Sequence, residues 1–291
     1  MEDTQIKRVA VIGAGTMGNG IAQVCAVAGY DVALCDVSEG ALDRAQKSVR
    51  GSLERIVAKG KMPAEARDGA LGRIAWGTSL EGAAKGADLV IEAVPERMEL
   101  KVETFRQCEP HLAPGALFGS NTSSLSITEM AASLGDASRV VGLHFFNPVP
   151  VMELLEIVRG VRTSEVTIER ARAFATSIGK TAIVVRDVPG FATSRLGVAI
   201  GAEAIRMLES GVASAEDIDR AMELGYRHPM GPLKLTDLVG LDVRLAILEH
   251  LHREVGEQFR PPALLRQMVR AGKLGKKTGE GFYPWNDEKK P

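Results

Sequence analysis

The stretch RVAVIGAGTMGNGIAQVCAVAGYDVALCD, residues 8–36, decides the fold. It opens on a β-branched run, so that Lys7–Ile12 reads as a strand. Gly13-Ala14-Gly15-Thr16-Met17-Gly18 follows with GxGxxG spacing, and Thr16–Ala28 reads as a helix. Asp31–Cys35 reads as a second strand, which Asp36 closes. In such a unit each glycine has its own reason. The first permits the tight turn, the second lets the backbone approach a pyrophosphate, and the third lets helix and strand pack closely. The helix N-terminus adds unpaired N–H groups and the positive end of its dipole, both suited to phosphate. Asp36 stands 18 residues after Gly18. A carboxylate there accepts hydrogen bonds from both ribose hydroxyls and repels a 2′-phosphate. Val37 and Ser38 follow it, with no arginine, so NAD is favoured over NADP. A glycine-rich turn with an unrelated aspartate is the bland alternative, and it does not explain why strand, loop, helix, strand and acid come in order.

Outward from this unit the alternation persists. Ile74–Trp76, Asp88–Ala93, Ala116–Ser120 and Val140–His144 are short apolar runs. Helical stretches such as Ser38–Lys59 and Glu99–Cys108 lie between most of them. This rhythm predicts a parallel sheet covered by helices. It continues through Leu154–Val158, a helix at Glu165–Ser177 and Thr181–Val185, then stops at Asp187-Val188-Pro189-Gly190. Beyond that the chain reads as helical, with Ser214 and Asp217 spaced as a capping box. The expected fold is α/β: a Rossmann-type dinucleotide-binding domain over 1–187, followed by an all-α C-terminal domain over 188–291. The tail from Gly272 to Lys290 reads as a loop with a short final strand.

Composition sets the outer limits. A chain of 291 residues, 45% hydrophobic and 25% charged, suffices for two modest globular domains. The net charge of -1 provides no basic field for a nucleic-acid backbone, and 4% aromatics provide no stacking platform. Cys25, Cys35 and Cys108 form no CxxC pair, so buried thiols in a reducing compartment are expected, with no disulfide framework and no metal site. The N-terminus lacks a signal-peptide pattern, and no apolar run approaches the roughly 18 residues of a membrane span. No membrane partner is expected, and a cytoplasmic location is.

The candidates for chemistry sit at predicted strand ends. His144 closes one strand, at the sheet edge where open α/β folds bind ligands. Such a histidine suits general-base work near neutral pH, and a core histidine satisfied by backbone reads equally well. Asn121-Thr122-Ser123-Ser124 follows another apolar run. Its amide and hydroxyls could orient a substrate oxygen, and they are also ordinary turn residues. Glu153 and Glu156 are expected on the strand after His144, on opposite faces, and spacing alone does not choose which reaches the imidazole.

Several stretches then occur together and in order. They are Gly13–Gly18, Asn121–Ser124, HFFNPVPVM (144–152), PGF (189–191), PMGP (229–232) and GKKTGEGFY (275–283). With them the chain resembles the L-3-hydroxyacyl-CoA dehydrogenase family over essentially its whole length, especially the short 3-hydroxybutyryl-CoA dehydrogenases. The resemblance implies reversible oxidation of an L-3-hydroxyacyl-CoA to the 3-ketoacyl-CoA with NAD, in fatty-acid or butanoate metabolism. It implies His144 as the base and Glu156 as its partner, against Glu153. Ser123 would bind substrate oxygen near the nicotinamide. Glu96, Lys101, Asn147 and Lys277 would join Gly13, Ala14, Gly15, Thr16, Met17, Gly18 and Asp36 in holding the cofactor. Ser52 and Lys59 match positions that touch CoA, and a homodimer is implied.

One position departs from the pattern. In Thr193-Ser194-Arg195, Ser194 stands where the family usually has an Asn that helps hold the substrate or the catalytic groups. The shorter side chain implies slower turnover or a different acyl group. A dehydrogenase of a non-CoA 3-hydroxy acid on the same fold is the nearest rival. A non-catalytic NAD(H)-binding protein is the rival from another class, and it has no need of a His144–Glu156 pair.

Overall fold

The computed structural model describes residues 5–285. The chain divides into two compact units, one ending at Asp187 and the next beginning at Val188. In the first, eight strands form one sheet: β1 (Arg8–Ile12), β2 (Asp31–Cys35), β3 (Ile74–Gly77), β4 (Leu89–Glu92), β5 (Leu117–Ser120), β6 (Val140–Phe145), β7 (Leu154–Arg159) and β8 (Thr181–Arg186). Their spatial order is β3-β2-β1-β4-β5-β6-β7-β8. The order reverses beside β1, so the loops after β1 and β4 splay apart and leave a crevice at their carboxyl ends.

Seven helices connect these strands: α1 (Thr16–Val27), α2 (Glu39–Ala58), α3 (Ala64–Gly72), α4 (Leu80–Ala84), α5 (Met98–Cys108), α6 (Ile127–Ala131) and α7 (Glu165–Ser177). Side-chain caps fix several starts. The Ser38 hydroxyl accepts from the Ala41 amide at 3.3 Å before α2, and Ser164 caps α7 through the Thr167 amide at 3.2 Å. The core lies between sheet and helices, where Val9, Val11, Ile21, Leu34, Ile91 and Phe174 are buried. The three thiols are buried and free. Burial pushes Cys35 up to about 11, with the Asp36 charge adding, and Cys108 up to about 12, so neither is a reactive thiolate.

The sheet departs from the all-parallel expectation at one place. β6 and β7 are antiparallel, with His144 opposite Glu156. Only residues 146–153 join them, too few for a crossover helix, so the chain turns straight back. Glu153 therefore lies in this connection, before β7, and is exposed.

The second unit is helical: α8 (Thr193–Glu209), α9 (Ala215–Gly225), α10 (Pro232–Val239), α11 (Leu241–Glu254) and α12 (Ala263–Arg270). Ser214 caps α9 by accepting from the Asp217 amide at 3.1 Å. Val198, Ile205, Leu233, Leu248 and Leu265 form its core. The expected final strand is absent among the described residues. Gly275 and Glu280 instead make isolated bridges, Glu280 pairing with Pro284, and residues 286–290 of that expectation lie outside the described residues. Buried Asp237 holds this segment, accepting from the Phe282 amide (2.8 Å), the Tyr283 amide (2.9 Å) and the Trp285 indole (2.8 Å). A Cβ on Gly281 would lie 2.1 Å from Asp237 Oδ1, so GKKTGEGFY reads structurally as a clamp around Asp237.

Candidate active site

The glycine loop behaves as three separate demands. Gly13 has φ +104, and a Cβ there would meet the Ala93 carbonyl at 2.6 Å. At Gly18 a Cβ would stand 1.7 Å from the Gly13 carbonyl oxygen, so helix and loop touch. Gly15 faces open space instead, with nothing within 4 Å of its Cβ position. The first and third glycines are packing requirements, and the middle one leaves bare backbone toward a ligand.

Asp36 is tied to this loop. Its Oδ2 accepts from the Ala14 amide at 2.8 Å, and its Oδ1 accepts from the Ser38 amide at 2.9 Å. Both bonds fix the carboxylate at the rim of a cavity of about 780 Å³. Gly13, Gly15, Thr16, Met17 and Asp36 line one side, and Leu100, Thr104 and Gln107 of α5 line the other. Apolar walls, one fixed acid and a glycine-backed helix N-terminus fit an adenosine with its pyrophosphate. The residues present therefore suit NAD.

A second cluster follows β4 and β5. Glu92 ends β4 fully buried. Its Oε1 accepts from the Lys101 ammonium at 2.8 Å and the Val94 amide at 2.7 Å, and its Oε2 accepts from the Ser120 hydroxyl at 2.7 Å. Burial raises the Glu92 pKa, and those three donors oppose the rise. Lys101, 1% exposed, also reaches Glu96 Oε2 at 3.1 Å. Glu96 Oε1 in turn accepts from the Thr122 hydroxyl at 2.7 Å and the Ser123 amide at 2.9 Å. Partial burial pushes Glu96 up, but the Lys101 charge, the Thr122 hydroxyl and the Ser123 amide outweigh it and hold the carboxyl below its usual range. Glu96, Lys101 and Ser123 are thus brought together. The lysine sits beneath the two carboxylates as their internal counter-charge.

The third cluster lies on β6 and β7. His144 Nδ1 is 2.7 Å from Glu156 Oε2, with His144 7% exposed and Glu156 fully buried. The antiparallel register puts the two directly opposite. It selects Glu156 without appeal to resemblance. The Asn121 side-chain Oδ1 accepts from the Phe145 amide at 2.9 Å, which ties the Asn121–Ser124 turn to the end of the histidine strand. A carboxylate on Nδ1 fixes the tautomer and supports an imidazolium.

The remaining candidates lie on other elements. Asn147 is exposed in the β6–β7 connection. Ser52 is half-buried on α2, and Lys59 is exposed at its C-cap. In the helical unit Lys277 pairs with Asp242 at 2.6 Å, and Ser194 lies half-buried in the first turn of α8. Sequence reasoning missed Glu92 and Ser120. An acid closing the apolar run Leu-Val-Ile-Glu92 was the available signal. Among the described residues no acid, histidine and cysteine cluster could hold a metal, and no helix is long and apolar enough to cross a membrane.

Comparison with known proteins identifies the family. Residues 8–188 match the family model "3-hydroxyacyl-CoA dehydrogenase, NAD binding domain", and residues 190–285 match the C-terminal domain of the same family. A probable 3-hydroxybutyryl-CoA dehydrogenase of Bacillus subtilis is 45% identical over 98% of this chain and 99% of its own. The crystal structure of the (S)-3-hydroxybutyryl-CoA dehydrogenase of Ralstonia eutropha is 44% identical, with a TM-score of 0.94 over 97% of this chain and 100% of that one. A 3-hydroxybutyryl-CoA dehydrogenase of Clostridioides difficile is 42% identical over 96% of this chain and 99% of its own. With both domain models matched in order over nearly all of its length, this chain belongs to the 3-hydroxyacyl-CoA dehydrogenase family.

Proposed function

We propose that this chain catalyses the reversible, NAD-dependent oxidation of an L-3-hydroxyacyl-CoA to the 3-ketoacyl-CoA. The observation that carries the reading is the buried His144–Glu156 pair, 2.7 Å apart on the NAD-binding sheet. With Nδ1 turned to Glu156, His144 takes the 3-hydroxyl proton on Nε2. Glu156 stabilises the imidazolium that forms and keeps the ring oriented. NAD, when bound, accepts the hydride that leaves C3. Ser123 hydrogen-bonds the substrate oxygen. Glu96, with Lys101 beneath it, orients the nicotinamide end, and Asp36 takes the adenosine ribose. Asn147 and Lys277 are further cofactor contacts, and Ser52 and Lys59 touch CoA.

Oxidation of a short 3-hydroxyacyl thioester belongs with fatty-acid β-oxidation or butanoate metabolism, in the cytoplasm. A homodimer built on the helical unit is supported by exposed Leu196 and Ile200 on α8 and by exposed Leu235 and Leu238 on α10.

The decisive test is NADH oxidation with 3-ketoacyl-CoA thioesters of increasing chain length, beside free 3-keto acids. Turnover of the thioesters that His144→Gln abolishes, with NADH still bound, is the expected result. Full turnover in His144→Gln would sink the assignment of the base. Turnover of free acids alone would instead favour a non-CoA 3-hydroxy acid dehydrogenase.

A further inference from the structure

The carboxyl edge of the sheet carries the site residues in one row. β2, β1, β4, β5 and β6 are consecutive neighbours and parallel, so their carboxyl ends share that edge. Asp36 follows β2, the glycine loop follows β1, Glu96 follows β4, Ser123 follows β5, and His144 lies near the end of β6. A dinucleotide with its adenosine ribose at Asp36 and its pyrophosphate at Gly15 has its other half across the crevice, on the β4 side. Val94 and Pro95, just before Glu96, line the cavity that Asp36 and Gly15 line. Hydride transfer also needs the nicotinamide within reach of the carbon whose hydroxyl His144 deprotonates. Both demands put the ring between β1 and β6, the interval in which Glu96 stands.

The charge held there does not cancel. The Lys101 ammonium has three N–H groups, and it meets Glu92 Oε1 (2.8 Å), Glu96 Oε2 (3.1 Å) and the Val94 carbonyl (3.3 Å). Its donors are thus directed inside the protein. Lys101 lies nearer the fully buried Glu92 than Glu96, so it serves the inner acid first. One ammonium between two carboxylates leaves one negative charge uncompensated. Glu96, its side chain 39% exposed, is the acid of the pair that reaches the surface. Its Oε1 accepts from the Ser123 amide at 2.9 Å, which fixes it against the turn after β5. The neighbouring Arg97 is exposed, where water screens its charge.

The oxidised nicotinamide ring is a cation and the reduced ring is neutral. A fixed negative charge beside the ring therefore acts on one form alone. We propose that Glu96 is a specificity-determining residue for the oxidation state of the cofactor, its carboxylate favouring NAD+ over NADH. This rests on the NAD-dependent dehydrogenase reading above. The consequence is a lowered reduction potential for the bound couple, which shifts the equilibrium on the protein toward NAD+ and the 3-hydroxyacyl group.

Calorimetric titration of the full chain with NAD+, NADH and ADP-ribose separates charge from contact. ADP-ribose keeps both phosphates and both riboses and lacks the ring. Glu96→Gln keeps the shape and removes the charge. It is expected to weaken NAD+ about tenfold and to leave NADH and ADP-ribose within about twofold of the parent. For this two-electron couple, that change raises the bound potential by about 30 mV. Glu96→Asp keeps the charge and should keep most of the NAD+ preference. Should Glu96→Gln fail to fold, Glu96→Ala removes the same charge and is read in the same way. Equal weakening of all three ligands overturns the proposal, because a contact to ribose acts on each of them alike. An unchanged ratio of the NAD+ and NADH dissociation constants overturns it as well. A parent that binds none of the three overturns the NAD-dependent reading itself. A parent that binds all three, with a ratio that survives removal of the charge, overturns this proposal alone.

Discussion

His144 and Glu156 are direct cross-strand partners in the antiparallel pair β6–β7, with Nδ1 2.7 Å from Oε2. Their separation is fixed by sheet register, so the imidazole and the carboxylate are held together by the sheet itself. Glu156→Gln keeps the shape and removes the charge that supports an imidazolium. Its kcat is expected to fall by about 10²–10⁴-fold. NADH affinity, read by fluorescence titration, should hold. A kcat within a factor of two of the parent would refute the role given to Glu156.

The glycines of the loop should separate fold from binding. Gly18→Ala puts a Cβ 1.7 Å from the Gly13 carbonyl oxygen, against rigid backbone. It should cost about 3 kcal/mol, seen in urea unfolding. Gly15→Ala meets nothing within 4 Å and should leave stability near the parent's. Its NADH affinity should nonetheless drop by about tenfold or more, because the methyl occupies the pyrophosphate approach.

Asp36 is held by the Ala14 and Ser38 amides. Asp36→Asn retains an acceptor for one of them and deletes the charge that repels a 2′-phosphate. The kcat/KM ratio of NADPH to NADH should rise by about tenfold. An unchanged ratio would mean that cofactor choice is set elsewhere.

Glu92 and Lys101 form a pair buried on both sides, 2.8 Å apart. Glu92→Leu leaves the buried ammonium with Glu96 as its remaining carboxylate and should cost about 3 kcal/mol in denaturant unfolding. Lys101 loses the anchor that fixes it beneath Glu96, so NADH binding should weaken as well. A stable variant with parental affinity would show that Glu96 is held by the Thr122–Ser123 turn alone.

Glu96 also gives the acid limb of stability a definite sign. Its folded pKa lies below the ordinary carboxyl value of 4.5. The folded state therefore binds this proton less readily than the unfolded chain. The contribution is present above about pH 4.5 and is lost as pH falls through the lowered folded value. Glu96→Gln should flatten the unfolding free energy between pH 5 and pH 3, roughly the window of an ordinary carboxyl. Because the side chain is 39% exposed, salt should shrink the difference.

The sequence by itself determined the first βαβ unit, the change from alternation to helix near Val188, and His144 at a strand end. These are local properties. Period-two and helical patterns, a glycine spacing and a carboxylate at a fixed interval need no distant contact to be read. The choice of Glu156 over Glu153 lay beyond it, because that choice depends on β6 and β7 pairing antiparallel and on β7 starting only at Leu154. So did the burial of Lys101, which two carboxylates 2.8 and 3.1 Å away partner in the interior. The burial of Arg244 beside Gly197 of α8 likewise needs the packed helices. Each of these rests on contacts between residues far apart in the chain. Only the assembled fold decides which polar groups lose water and which partners replace it.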